Sequence, residues 1–383
     1  MVNLKKATKA TVFRGTPIHH VPEYDRKVQK IRPLELINII YRLNDIAGSA
    51  EATGMYKSES ALYKPLKREH AVRLLTLHPG ASKEDQISCA LIIHNFDKVI
   101  PRYKALSYVW GTPDPKQQIL IDGHEVDITP NLYEALIHIR KQSEDLTIWV
   151  DALCINQENF EERSQQVAMM RDIYAEATQV ISYLGPATKN SASDSLSTIL
   201  YDIASRPYWT RVWIIQEYVM AKENLIQCGS ERFTRLDLWD VPYQYEVLMG
   251  MEIDGDMMSQ IARMRRVLEV QEEWKRSQSG LTLGKALKFS ADFAASDRRD
   301  SVYGILGLTS ARRQLKADYN LSPCDVFQRA YQFAGRENAM LSSTCEAKQI
   351  EDQLETINEM MKTHNAGRCD GSCGSFERLV QGF

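Results

Sequence analysis

A chain of 383 residues with 44% hydrophobic and 25% charged residues has the composition of a folded globular protein, not of a disordered or membrane-embedded one. Its formal net charge of −3 gives no global attraction to nucleic acid or to an anionic bilayer. No apolar run reaches the ~18 residues of a spanning helix and no secretory core follows Met1, so the expectation is a soluble, cytoplasmic protein with no membrane span and no nucleic-acid partner. The length accommodates two or so folding units.

In chain order, residues 1–30 carry seven Lys/Arg against two Asp/Glu. This local basic arm reads as a solvated extension, with a membrane-surface, nucleic-acid or import role as alternatives. "PLELINIIYRLNDIAG" (33–48) has helical spacing and stops at a glycine, and residues 49–66 read as a linker. Short apolar runs at 71–77, 87–93 and 103–109 predict strands. "QQILIDGHEVDI" (117–128) is a hairpin about Asp122-Gly123, since both residue types tolerate positive φ. "TPNLYEALIHIRKQ" (129–142) opens with an N-capping Thr129 and Pro130 at the first helical position.

"LTIWVD" (146–151) predicts a buried strand ending in an acid, followed by a loop. Asn159 and Glu162 have the spacing of a capping box for a helix through about Ala177. "TQVISYLG" (178–185) and "NLIQCG" (224–229) predict two more strands, with the helix "WIIQEYVMA" (213–221) between them. Alternating strands and helices over 103–229 predict a mainly parallel sheet flanked by helices, whose ligands gather beyond the carboxyl ends of the strands. Beyond residue 235 the texture is helical. The expected division is an arm over 1–69, an α/β core over 70–235, a helical part over 236–340 and a flexible Gly-, Ser- and Cys-rich tail over 341–383, which suggests a truncated chain or a short family member.

Seven cysteines, an odd number spread thinly, predict reduced thiols. His364, Cys369 and Cys373 fit no common zinc spacing, and no metal is expected. There is no G-x-S-x-G elbow, P-loop, H-E-x-x-H or G-x-G-x-x-G after a strand. Cys154 in "DALCINQ" has no histidine nearby in sequence and reads more readily as a buried structural thiol than as a nucleophile. Polar residues do collect at the ends of apolar strands: Ser107, Tyr108, Trp110 and Gly111 after one, Asp151, Asn156 and Gln157 after another. Singly such residues brace loops. Together they suit the lining of a crevice.

"YKALSYVWG" (103–111), "NLYEALIHIR" (131–140), "IWVDALCINQENFEERSQQVAMMRDIYAEATQVISYLG" (148–185), "RPYWTRVWIIQE" (206–217) and "SDRRDSVYGILGL" (296–308) together resemble, in order, the blocks of the heterokaryon-incompatibility (HET) domain of filamentous fungi. The likeness spans about residues 70–335. It implies a role in fungal nonself recognition, where such domains trigger death of fused cells. It also implies a distant likeness to the Toll/interleukin-1 receptor (TIR) domain, a flavodoxin-like α/β unit, several of which cleave NAD with a helix-borne glutamate. The counterpart of that glutamate is Glu217, although the helix reads Gln216-Glu217-Tyr218 without the TIR motif's cysteine. The resemblance further implies NAD as substrate with no bound cofactor, self-association into an oligomer, and an allelic or NLR-type protein partner.

Breaking the nicotinamide–ribose bond develops positive charge on the sugar, and a fixed carboxylate stabilises that charge as it appears. Trp213 lies one helical turn from Glu217 and would desolvate it in part. Asp151 and Asn156 are candidates for orienting ribose or phosphate, Arg163 for a phosphate and Trp110 for stacking on a base, and the likeness to the first TIR strand adds Ser107 and Tyr108 as substrate-binding candidates. The competing reading pairs Glu217 with Arg211 or Arg163 as a structural anchor, or leaves it exposed. At the level of function, a non-catalytic module that signals by assembly and a nucleotide sensor without turnover stand as the alternatives to an enzyme.

Overall fold

A computed structural model describes residues 62–191, 196–238, 255–277 and 280–341. The basic arm, the helix expected at 33–48, most of the helical stretch expected over 236–253, and the tail with His364, Cys369 and Cys373 lie outside these residues.

Strands form where the apolar runs predict them. β1 (Ala71–Leu77) and β2 (Ser88–Asn95) pair antiparallel, with Ala71 opposite Asn95 and Leu77 opposite Cys89. β3 (Lys104–Tyr108) follows, then the hairpin of β4 (Gln117–Ile121) and β5 (His124–Ile128). Its turn places Asp122 at φ 50° and Gly123 at φ 80°, the left-handed pair that a two-residue hairpin matched to the strand twist requires. Helix α1 (Pro130–Ile139) starts at Thr129, whose hydroxyl accepts from the Leu132 N–H at 3.3 Å. It leads into β6 (Leu146–Trp149).

The segment after β6, expected as a loop, is partly helical: Asp151 opens the short α2 (Asp151–Cys154) instead of ending the strand. Helix α3 (Phe160–Glu176) is capped by Asn159 Oδ1, which accepts from Glu162 N at 3.0 Å. Only this half of the capping box forms, because the Glu162 carboxylate turns inward to Arg73. β7 (Gln179–Tyr183), α4 (Leu196–Ala204), a 3-10 turn (Pro207–Thr210), α5 (Ile214–Met220), β8 (Asn224–Cys228) and β9 (Glu231–Phe233) complete the α/β part.

The nine strands join in one sheet of order β5-β4-β2-β1-β6-β3-β7-β8-β9. The expected mainly parallel sheet is in fact mixed: four of its eight pairings are parallel and four antiparallel. The β1–β2 and β4–β5 hairpins and the terminal β9 add antiparallel neighbours locally, and β1 joins β6 antiparallel across a long stretch of chain, all around a parallel block. That block, β6-β3-β7-β8, is the part built by strand–helix crossovers. From β3 the chain runs to β6 on one side and then back past β3 to β7 on the other, so β3 and β7 flank a point where the direction of winding reverses. Burial follows position. β1 is buried on both faces along nearly its whole length, whereas the edge strand β5 alternates exposed and buried residues, as a strand covered on one face does.

The remaining helices are α6 (Gly255–Arg276), α7 (Leu283–Ser290), α8 (Asp300–Leu306) and α9 (Pro323–Leu341). They share the core of the sheet. α6 packs on α4 and α5, and Gln271 Nε2 donates to the Tyr218 carbonyl at 3.0 Å. α8 reaches α5 through a close approach at Gly307, whose N–H donates to Gln216 Oε1 at 3.1 Å and where a Cβ would stand 2.3 Å from that oxygen. Val212 N donates to Ala294 O at 2.9 Å and Ala294 N to Thr210 O at 2.6 Å. The segment leading into α5 is thereby held by the sheet on one side and by the helical half on the other. No described helix is long and apolar enough to cross a membrane.

Candidate functional site

Ser107 and Ser182 are the penultimate residues of β3 and β7 and stand opposite each other in the parallel register. Both are buried. The Tyr208 hydroxyl, brought in by the 3-10 turn, lies 2.7 Å from Ser107 Oγ and 2.9 Å from Ser182 Oγ. Ser107 Oγ in turn donates to Glu217 Oε2 on α5. Four groups from four elements therefore form a chain with three contacts. One hydrogen serves each contact. Tyr208 donates to Ser182, and either hydroxyl can be the donor in the Ser107–Tyr208 contact. A protonated Glu217 donating to Ser107 lets the chain run from Glu217 through Ser107 and Tyr208 to Ser182, whereas an ionised Glu217 draws the donors toward itself.

Glu217 is 2% exposed, so the simple surface position is ruled out. Nor does it form an ion pair with any described residue, and its Oε1 accepts no hydrogen bond among them. Arg211, expected as a possible partner, sends Nη1 to the Tyr108 carbonyl. Loss of water pushes the Glu217 carboxyl up to about 7, against the opposing pull of the Arg211 charge, with the Asp151 charge raising it further and the Ser107 hydroxyl lowering it. Close to neutrality this acid changes charge.

Asp151 lies beside this group. Its Oδ2 accepts from Trp110 Nε1 at 2.8 Å and its Oδ1 from Ala152 N at 2.8 Å. Desolvation raises its pKa, with Arg211, the indole N–H and backbone donors opposing. Trp110, half-buried, thus holds the acid that follows β6 with the indole that follows β3. Gln157 Nε2 braces the same turn by donating to the Asp151 carbonyl at 3.0 Å.

Trp213 and Arg163 belong to a second neighbourhood, around an acid that the sequence reading missed. Trp213 Nε1 donates to Asp300 Oδ2 at 3.0 Å, and Tyr319 OH donates to Asp300 Oδ1 at 2.7 Å. The Arg163 guanidinium stacks 4.1 Å above the Tyr319 ring, and its buried Nε has no hydrogen-bond partner among the described residues. Desolvation pushes Asp300 up to about 6, with Asp297 adding and Trp213, Tyr319 and Arg163 opposing. Asn156 stands apart from both neighbourhoods. Its Oδ1 accepts from Glu158 N at 3.2 Å and its N–H donates to Glu162 Oε1 at 2.7 Å, which is the geometry of a loop brace.

Ser107, Glu217, Asp151, Trp110 and the backbone of Tyr108 are therefore brought together, Trp213 and Arg163 are joined one step away through Asp300, and Asn156 lies elsewhere. Tyr208, Ser182 and Asp300 were not foreseen. A signal for Ser182 was present in the repeated Ser-Tyr of "LSYVWG" and "ISYLG", which puts the same pair at the ends of two neighbouring strands. Cys154 is no nucleophile near neutrality, since burial pushes its thiol up to about 12. Cys89 and Cys228 are likewise buried and unbridged.

Comparison with known proteins gives this geometry a family. The family model described as Heterokaryon incompatibility protein (HET) matches residues 103–202, from the start of β3 into α4. Heterokaryon incompatibility protein 6, OR allele, of Neurospora crassa is 37% identical over 143 residues. The chain carries a HET domain. The aligned region amounts to 33% of this chain and 21% of that relative, so the chain spans about a fifth of the relative's length. No solved structure matches. The matched span of the HET domain supplies Ser107, Asp151 and Ser182, whereas Tyr208, Glu217 and Asp300 follow it in sequence.

Proposed function

We propose that this HET-domain protein acts in fungal heterokaryon incompatibility as a cell-death effector, and that it does so by hydrolysing NAD at Glu217. The observation that carries the reading is a carboxylate taken out of water at the rim of β3 and β7, given one hydroxyl donor and no counterion in contact. The parallel block β6-β3-β7-β8 has the strand order of flavodoxin-like sheets, which bind ligands at the switch between the first and third strands of the block. That order supports the TIR-like comparison, and the site lies at that switch.

In the reaction the ribose C1′–nitrogen bond breaks with its electron pair passing to the nicotinamide nitrogen. Water adds to C1′ and releases a proton, giving nicotinamide and ADP-ribose. Ionised Glu217 stabilises the oxocarbenium-like sugar. The cationic nicotinamide of the incoming substrate itself favours that ionised form. Asp151, held by Trp110, and Arg163 remain the candidates for orienting the ribose and phosphates. Because Glu217 is 2% exposed, the reading requires the contacts around it to open, and we tie this opening to assembly with further copies of the chain.

The same burial favours a second reading, a non-catalytic module that signals through assembly, with a sensor that binds nucleotide without turnover as a third. The test is to incubate concentrated, assembled protein with NAD and measure free nicotinamide, alongside Glu217→Gln. Release by the parent protein and none by the variant is the expected result. Release by neither, without binding, supports the module; binding without release supports the sensor; release by both moves the chemistry to another carboxylate.

A further inference from the structure

A cavity of about 660 Å³ lies on the opposite side of the sheet order from β7 and β8, where the chain enters β1 and leaves β2, and none of the residues around Glu217 line it. One wall is the segment before β1, bearing Lys64, Lys67 and Arg68, and the other is the end of β2 and the turn after it, bearing Ile93, Lys98 and Val99. The four cations are exposed, and none forms an ion pair with a described carboxylate. Asp97, a nearby acid, is already held by His70 Nδ1 at 2.7 Å.

Two further features separate this cluster from an ordinary solvated run of charge. The cations come from two segments that backbone pairing brings together, with Phe96 N donating to His70 O at 3.0 Å. Beside them the apolar wall is open: Val99 is 100% and Ile93 40% exposed. The first wall is also fixed from behind, since the Lys64 carbonyl accepts from Arg73 Nη2 at 2.7 Å, and Arg73 is anchored in the core. Like charges gathered without counterions repel one another, and a multiply charged anion removes that repulsion while gaining charge-assisted hydrogen bonds. The volume falls within the range of small-molecule sites, roughly 300–1,000 Å³.

We propose that this cleft binds a ligand carrying two or more phosphate groups on an organic body, the phosphates held by Lys64, Lys67, Arg68 and Lys98 and the body resting on Ile93 and Val99. The site stands independently of Glu217. Such a ligand can arrive free in solution or as the phosphorylated headgroup of a lipid, and the chemistry recognised is the same.

The test uses the full chain with inorganic pyrophosphate and inositol hexakisphosphate, titrated by calorimetry. In a parallel arm it is sedimented with phosphatidylcholine vesicles with and without a bisphosphorylated inositol lipid. Saturable binding that weakens with added salt is expected in at least one arm, and which arm responds identifies the source. Lys67→Glu with Arg68→Glu, and separately Lys98→Glu from the opposite wall, are expected to weaken it by about tenfold or more. The same double charge change at exposed positions outside the cleft, Lys83→Glu with Lys189→Glu, is expected to leave binding within about twofold, as distant screened charges do. Absence of saturable binding to every probe, or an equal loss in the two double variants, overturns the proposal. Glu217→Gln is expected to bind the probes normally, so failure of the NAD reading and failure of this one are separable.

Discussion

Glu162 and Glu217 are both buried glutamates, 8% and 2% exposed, yet the molecule treats them in opposite ways. Glu162 receives Arg73 Nη1 at 2.6 Å on Oε1, Arg73 Nη2 at 3.0 Å on Oε2, and Asn156 N at 2.7 Å. Arg73 completes the set by donating to the Cys154 and Lys64 carbonyls. Glu217 receives one serine hydroxyl, and the nearest cationic influence, Arg211, is engaged with a backbone carbonyl. Removal from water costs a carboxylate heavily unless a cation and donors replace the lost hydration. Glu162 has that replacement and serves to tie β1 to α3. Glu217 lacks most of it, which is how a fold keeps an acid responsive to a ligand.

The largest effect that would break this contrast comes from the paired side. Arg73→Ala leaves the Glu162 carboxylate buried without its cation, and the expected loss is about 3–5 kcal/mol of unfolding free energy, measured by urea titration. A loss below about 1 kcal/mol, the range of surface pairs, would mean that Glu162 is not dependent on Arg73 and that the two glutamates differ less than their geometry indicates.

On the unpaired side the sign reverses. The folded-state value of Glu217, about 7, lies above the ordinary 4.5. The folded chain therefore holds the proton more tightly than the unfolded one. The resulting stability is fully present below about 4.5 and is lost as pH rises through about 7. Glu217→Gln keeps the shape and cannot ionise. It is expected to be more stable than the parent by up to roughly 3 kcal/mol at ~pH 8, with the difference vanishing near ~pH 4. Denaturation curves at the two pH values measure it. A variant that is less stable at the higher pH would show that Glu217 has a cation partner after all. If ionised Glu217 carries the chemistry, nicotinamide release should rise over the same interval in which stability falls.

The sequence made the architecture legible wherever local rules sufficed. The Asp122-Gly123 turn, the Thr129 cap and the strand runs depend on neighbours in the chain and are found as expected. The mixed character of the sheet was not legible, because whether β1 joins β6 antiparallel is decided by packing across some seventy residues of chain. The same holds at the site. Glu217 and Ser107 could be named from a resemblance, but their contact, 110 residues apart in sequence, could not be read from spacing. Glu162 shows the limit from the other side: its spacing from Asn159 suits a cap, and only the tertiary position of Arg73 redirects its carboxylate inward. Asp300 was hidden in the run Asp297-Arg298-Arg299-Asp300, where nothing local distinguishes the acid that meets Trp213 and Tyr319.

The smallest expected effect tests the hydroxyl chain, which is the finest distinction between the two glutamates. Tyr208→Phe preserves the ring between Ser107 and Ser182 and removes the hydroxyl that links them. Ser107 then loses its hydrogen-bond partner Tyr208, and its own donation to Glu217 is no longer reinforced by the chain behind it. The ionised form of Glu217 becomes less favourable, so its pKa should rise above the parent value, at a cost of about 1 kcal/mol in stability. Carboxyl carbon NMR on selectively labelled glutamate follows this titration directly and needs no assumption about activity, while the signal of Glu162, held by Arg73 and remote from Tyr208, serves as the internal reference. A Glu217 titration that stays put or moves downward would show that Ser107 acts alone, and that the carboxylate answers to one hydroxyl instead of to a relay spanning two strands.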